Sequence, residues 1–273
     1  MWPSACASNE ASKHMPPLVR LASVLALVGW CFLATSADAQ PASSGPVVGT
    51  VRTVLASVGL QGVVDAPRYF VVRRVSVPAK QAAIYNNGAA GIAFILSGSL
   101  EVTRGADLQS LVKGEGLVIA AGSSTTLRAV GSAPAVFLHF VLATANELDK
   151  PTDSVSASVI ELFRTASPIP GLKPGPYEFT LVRVTFPTRF PANPPHHRSG
   201  AAMYYVLAGT GMFTTGGKTE AKPAGTIHFE PYDLVHQWGN PSDVPLVLIQ
   251  ANISQEGVPA VIFVPQADPR TSK

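Results

Sequence analysis

Three side chains in the last third of the sequence, His196, Arg198 and His236, are of types that do chemistry together. A neutral imidazole can move a proton near neutral pH or ligate a divalent metal. A guanidinium can hold a carboxylate or phosphate through two parallel hydrogen bonds. His196 and Arg198 are two residues apart, so on a β-strand they point to the same face. Tyr204 and Gln250 are polar side chains inside the apolar runs MYYVL and VLIQA, where they reach either a ligand or a buried partner. The expected site therefore has His196 and His236 as proton-transfer groups, with Arg198, Tyr204 and Gln250 as ligand contacts. Thiol chemistry is excluded from the folded part, because Cys6 and Cys31 both precede residue 40.

These residues need a scaffold, and the sequence repeats one. At a constant offset of 111 residues, Leu96, Gly98, Thr103, Gly105, Gly114 and Pro134 match Leu207, Gly209, Thr214, Gly216, Gly225 and Pro245. The runs IAFILSG and MYYVLAG read as equivalent strands ending at a glycine turn. Upstream, the run from Phe70 to Pro78 matches that from Phe179 to Pro187 with a two-residue shift. The unit repeated is a whole domain, not a solenoid turn. Short β-branched and aromatic runs divided by Gly, Pro and Asn predict an all-β fold closed into barrels or sandwiches. The expected layout is an arm or extra strand over 40–66, a first barrel over 67–145, and a second over 173–268. A linker over 146–172 carries a short predicted helix near 158–165, where Ile160, Leu162 and Phe163 would cover one barrel end.

The run from Pro194 to Gly209, PPHHRSGAAMYYVLAG, is followed by Gly225, Pro231, Asp233, His236 and Asn240 at the spacing Gly-x5-Pro-x-Asp-x2-His-x3-Asn. Together these resemble the two motifs of the cupin family, and the repeat makes the chain similar to a bicupin. The resemblance implies two tandem jelly-roll β-barrels, each with a small-molecule pocket inside. In the family, His-x-His and Glu of the first motif and His of the second surround a divalent metal. Here His196 and His236 keep two of those four positions, while Arg198 stands at the second His and Ala202 at the Glu. A guanidinium repels a metal ion. The first-half equivalents, Tyr85, Asn87, Gly91 and Thr125, include no strong ligand for a transition metal, so the N-terminal barrel is expected to be structural.

Three readings follow. In the first, the C-terminal barrel binds a small anionic organic molecule on Arg198, without a cofactor, and His196 and His236 do acid/base work of isomerase or lyase type. In the second, a divalent metal sits on His196 and His236, as the resemblance to bicupin dioxygenases and decarboxylases implies; His197, Glu178 or Glu230 would have to complete the set, although none is at a family position. In the third, the protein is a non-catalytic binding or structural cupin. His236 then bonds a turn carbonyl, Arg198 is a solvated rim charge, and His139 and Gln250, at equivalent positions, are satisfied core groups.

Composition narrows the partners. Charged residues make up 14% and hydrophobic residues 47%, which suits buried sheets. A net charge of +3 with no basic run gives no footprint for nucleic acid. Arg20, the apolar run from Leu21 to Leu33 and the Ala37-x-Ala39 end read as a signal peptide over 1–39, with Met15 as an alternative start. The expectation is a secreted or periplasmic protein, off the membrane after cleavage, whose partner is a small molecule. A homodimer through a sheet edge is compatible with the family.

Overall fold

The computed structural model describes residues 49–148 and 153–265; the expected leader lies outside them. The first half supplies β1 (Val51–Leu60), β2 (Arg68–Val77), β3 (Ala82–Asn87), β4 (Ala90–Ser97), β5 (Ser99–Arg104) and β6 (Asp107–Val112). It continues with β7 (Gly116–Ile119), β8 (Ser123–Val130), β9 (Ala135–Thr144) and the four-residue helix α1 (Ala145–Leu148). Two strands join the halves, β10 (Asp153–Val155) and β11 (Ser158–Arg164). The second half supplies β12 (Tyr177–Phe186), β13 (His196–Arg198), β14 (Ala201–Ala208), β15 (Thr210–Thr215) and β16 (Lys218–Pro223). It ends with β17 (Ile227–Glu230), β18 (His236–Gly239), β19 (Leu246–Gln255) and β20 (Val261–Phe263).

The two tandem jelly-roll barrels expected from the repeat are both present, each a pair of five-stranded antiparallel sheets. The N-terminal barrel has orders β11-β2-β9-β4-β7 and β10-β3-β8-β5-β6. The C-terminal barrel has β1-β12-β19-β14-β17 and β16-β15-β18-β13-β20. Each strand alternates between faces, so one sheet of each barrel buries both sides. One side lines its own barrel, with Val75, Val77, Ile95 and Phe137 in the first and Val182, Val184, Val206 and Leu248 in the second. The other side joins a single core drawn from both halves, in which Phe70, Phe94 and Phe140 share a cluster with Phe179, Met203 and Ile249.

The halves also exchange strands. β1 precedes the N-terminal barrel yet pairs with β12 of the C-terminal one, and β11 precedes the C-terminal barrel yet pairs with β2 of the first. Both pairings carry an irregularity at the same place, between Val54 and Ala56 opposite Val182 and Leu181, and between Glu161 and Phe163 opposite Arg73 and Val72. Exchange at matching register makes Arg52, opposite Val184, the counterpart of Val159, opposite Val75.

This corrects the reading of 146–172. Residues 158–165 do not form a helix; Ile160, Leu162 and Phe163 belong to β11. The apolar spacing fits either period over so short a run, and the open edge of β2 selects the strand. The region 40–66, left open between the two barrels, places β1 on the C-terminal one. The glycine turns match as read: Gly98 and Gly209 have φ of +76° and +78°. A Cβ at either would come within 2.8 or 2.7 Å of the Pro134 or Pro245 carbonyl oxygen. Only glycine fits there.

Candidate functional site

The C-terminal barrel holds a buried polar cluster. β13 and β18 meet at the pair His196 and His236, whose ring centroids are 4.3 Å apart. Each imidazole is fixed by its own turn. His196 Nδ1 bonds the Pro194 carbonyl at 2.9 Å, and His236 Nδ1 bonds the Leu234 carbonyl at 2.8 Å. A carbonyl can only accept, so Nδ1 carries the proton in both rings. Asp233, in the family's glycine position, adopts φ +63° as its turn requires.

The centre of the cluster is Glu230, which stands at no position of the family motifs. β17 sets it directly across from Ala202 on β14. The carboxylate missing at 202 is thus supplied from the neighbouring strand, into space that the small Ala202 side chain leaves. Glu230 is fully buried and accepts from Arg198 Nε at 2.9 Å and Trp238 Nε1 at 2.7 Å. His236 Nε2 lies 2.9 Å from the same carboxylate. Burial alone would raise the Glu230 pKa; the Arg198 charge, with the His236 and Trp238 contacts, outweighs it and holds the carboxyl well below the usual range.

Arg198 is 3% exposed and bonds Tyr204 Oη as well as Glu230, leaving Nη1 without a partner. Burial opposes its charge, but Tyr204 and Glu230 more than offset this and keep the guanidinium ionised. Tyr204 is buried beside Trp238, and burial pushes its phenol far up, so it stays neutral. Gln250 is buried and donates to Asn252 at 2.5 Å. Its carbonyl oxygen receives Arg52 Nη2 at 3.2 Å.

An open pocket of about 180 Å³ adjoins this cluster, lined by Thr50, Arg52, Phe186, Asn193, His196, Val261 and Phe263. Of the five residues expected at the site, His196 alone lines it. His236, Arg198, Tyr204 and Gln250 lie behind: Arg198 bonds Tyr204, His236 bonds the Leu234 carbonyl, and Gln250 bonds Asn252 and Arg52. Arg198 was expected to face a ligand; instead it faces Glu230. It is not the alternative solvated rim charge either. Burial holds the His196 pKa down to about 4, with the neighbouring His236 and Arg198 acting in the same direction, so its ring is neutral at neutral pH.

Two residues escaped the sequence reading, Arg52 and the central role of Glu230. Arg52 was hidden because it precedes the other barrel, and no motif spans a strand exchange. Glu230 became legible only through register. The remaining candidates fall outside the cluster: His197 faces outward to Asp233 at 3.0 Å, and Glu178 accepts from Ser57 on the exposed face.

The fit to a metal is poor. His196 and His236 tie Nδ1 to carbonyls as metal-binding imidazoles do, but His236 Nε2 faces the Glu230 carboxylate at 2.9 Å. Both oxygens of Glu230, however, are engaged by donors, and a guanidinium is bonded to that carboxylate. No group of three ligating side chains is poised for a metal among the described residues.

In the N-terminal barrel the equivalent space is filled. Tyr85 Oη bonds His139 Nδ1 at 2.7 Å, and a Cβ at Gly91 would meet His139 Nε2 at 2.2 Å. Burial, with Arg73 nearby, lowers the His139 pKa to about 3.

Residues 182–252 match the cupin-domain family model. No curated protein sequence matches the chain. Among solved structures it is similar to AerE from Microcystis aeruginosa, with 16% identity over 74% of this chain and 99% of that one and a TM-score of 0.50. It is also similar to an oxalate decarboxylase variant from Bacillus subtilis, with 13% identity over 82% of each chain and a TM-score of 0.51. Another structure of the decarboxylase concerns its Mn(II) centres. Such likeness carries the fold. The domain match lies in the second half, and a barrel of the same topology stands in the first, so the fold of the chain is that of two tandem cupin-type barrels.

Proposed function

We propose that the C-terminal barrel binds a small organic anion without a metal, and that any turnover uses His196 and His236 for proton transfer. The observation that carries this reading is the charge balance of the barrel interior. Arg198 and Glu230 cancel, the His196 ring is neutral, and Arg52 adds a guanidinium whose hydrogen-bond partner among the described residues is the neutral amide of Gln250. The interior is left with surplus positive charge beside an open pocket, and a small anion complements it.

Within this reading, His196 Nε2 is a bare lone pair at the pocket wall, able to accept a proton or a hydrogen bond from a ligand. Its low pKa makes it a weak base, which suits isomerase- or lyase-type steps on an already acidic C–H or O–H better than demanding ones. His236 and Glu230 sit behind it, His236 Nε2 lying 2.9 Å from the carboxylate. The leader reading adds that the mature protein begins at Gln40 in a periplasmic or secreted compartment; intact mass of the exported product tests this, and a product retaining Cys31 would refute it.

A metal-dependent reading has one supporting observation, the two histidine rings held side by side with Nδ1 tied to carbonyls. Elemental analysis of protein purified from its native compartment separates the two, followed by a thermal-shift screen of small metabolites. Stoichiometric metal in the native protein would displace the metal-free reading. A set of stabilising hits enriched in anions would support it.

A further inference from the structure

We propose that Arg52, carried in by the strand that precedes the other barrel, is the anion-binding group of the C-terminal site, and that the ligand is a monocarboxylate with a compact apolar body. This rests on the reading of that barrel as an anion site and names its anchor and ligand class.

The choice between the two guanidiniums is one of partners. Arg198 is sealed at 3% exposure, and its charge is balanced by Glu230 at 2.9 Å. Arg52 is exposed at the pocket mouth, yet its guanidinium reaches the buried Gln250 amide at 3.2 Å. No acidic residue among the described ones lines the pocket. The described wall is therefore short of negative charge. A bound carboxylate would supply it through a charge-assisted pair.

The rest of the wall describes the rest of the ligand. Phe186, Val261 and Phe263 are apolar, and they meet Arg52, Thr50, Asn193 and His196 around about 180 Å³. That is smaller than the ~300 Å³ at which drug-sized pockets begin, so the body is a short branched chain or one ring. Thr50 Oγ1 is buried without a partner, and His196 Nε2 accepts, so the wall also offers hydrogen bonds of both senses. One surplus charge argues for a monoanion over a phosphate dianion. The occupant would bridge β1, β13 and β20, three separate parts of the chain, and so fasten the exchanged strand to the barrel it completes.

The test is calorimetric titration of the full mature chain with benzoate and isovalerate, their amides, and inorganic phosphate, on wild type, Arg52→Gln and Arg52→Lys. Wild type should bind the carboxylates and not the amides. Arg52→Gln should weaken carboxylate binding about tenfold to a hundredfold, the worth of a charge-assisted hydrogen bond. Arg52→Lys should fall between, since an ammonium keeps the charge but not the paired geometry. Ring signals of His196 should shift when wild type binds, a readout that survives even if a variant folds poorly. Carboxylate binding unchanged in a folded Arg52→Gln protein would overturn Arg52 as anchor and leave the anion reading standing. Preference for phosphate would overturn the ligand class. No binding of any anion to wild type would sink both.

Discussion

The two barrels carry the same strands in the same register and have put different residues at the same points. Where the C-terminal barrel has Glu230, Tyr204, Trp238 and His236, the N-terminal one has Ile119, Ala93, Leu127 and Thr125. The first three of these join a packed apolar core. The exchanged strands differ in the same sense, Arg52 against Val159. The guanidinium of the N-terminal barrel comes instead from Arg73, whose counterpart is Val182, and it is closed in beside Tyr85 and His139. One barrel has thus filled its pocket and the other has kept one. The comparison teaches that in this fold a site is set less by the motif strand than by what the facing and exchanged strands place against it.

The largest expected effect comes from breaking the charge balance that distinguishes the two interiors. Glu230→Gln leaves Arg198 buried without its counter-ion, and should cost about 3–5 kcal/mol. Replacing the pair together, Arg198→Met with Glu230→Ile, imitates the apolar filling of the N-terminal barrel and should recover most of that loss. Denaturant unfolding of the three proteins measures both. If the double variant is no more stable than Glu230→Gln, the pair is more than a self-cancelling unit, and the comparison with Ile119 fails.

Acid should find weak points in both barrels. His139 in the first, and His196 and His228 in the second, have pKa values lowered to about 3, 4 and 4 from 6.5, burial being the main cause in each. A depressed histidine pKa means that the unfolded chain takes up protons before the folded one does. Stability is therefore complete above the unfolded value near 6.5 and is lost as pH falls toward 4 and 3. The loss should be on the order of several kcal/mol. Glu230 adds to it further down: its pKa is also lowered, so its contribution is present above the ordinary carboxylate range and fades as pH drops through and below it. Melting curves across this window should fall steadily. His139→Phe should flatten part of the slope. A flat profile would mean these rings are solvated or protonated in the fold.

A smaller, opposite change sharpens the question of metal. Arg198→His removes the guanidinium and restores His-x-His beside Glu230 and His236. The variant should gain affinity for Zn²⁺ or Mn²⁺, more so with Ala202→Glu, and at a hundredfold excess over Kd the metal would stabilise it by about 2.7 kcal/mol. Equal metal-induced shifts in wild type would show that Arg198 is no barrier.

Much of this was legible in the sequence, because the repeat and the glycine turns are local patterns that a barrel cannot dispense with. Gly98 and Gly209 are readable since no other residue tolerates that backbone beside a carbonyl. His196 and His236 were correctly placed together, as motif spacing fixes which strand ends meet. What stayed hidden depends on pairing between distant segments. Glu230 lies across from Ala202 only once β14 and β17 are in register, and Arg52 joins the site only once β1 crosses to the other half. Arg198 was given an open face because strand parity tells which way a side chain points and not what it meets. The strand β11 was misread as a helix for a related reason: seven residues hold too few turns to separate the two periods, and the edge that decides it belongs to β2.

The smallest expected effect is Thr125→Ala, at the N-terminal counterpart of His236. Thr125 is fully buried, and its Oγ1 has no hydrogen-bond partner. Removing a desolvated, unpaired hydroxyl relieves a cost, while the small void it leaves imposes one of similar size. The net change should lie within about 0.5 kcal/mol. Its cross-strand neighbour Tyr85 is already bonded to His139, so no partner is orphaned by the change. Ligand affinity and any turnover should match wild type, while His236→Ala should impair both by freeing one face of Glu230. This pair of substitutions is the direct test of which barrel works. Loss of binding in a stable Thr125→Ala protein would place the working site in the half that looks filled.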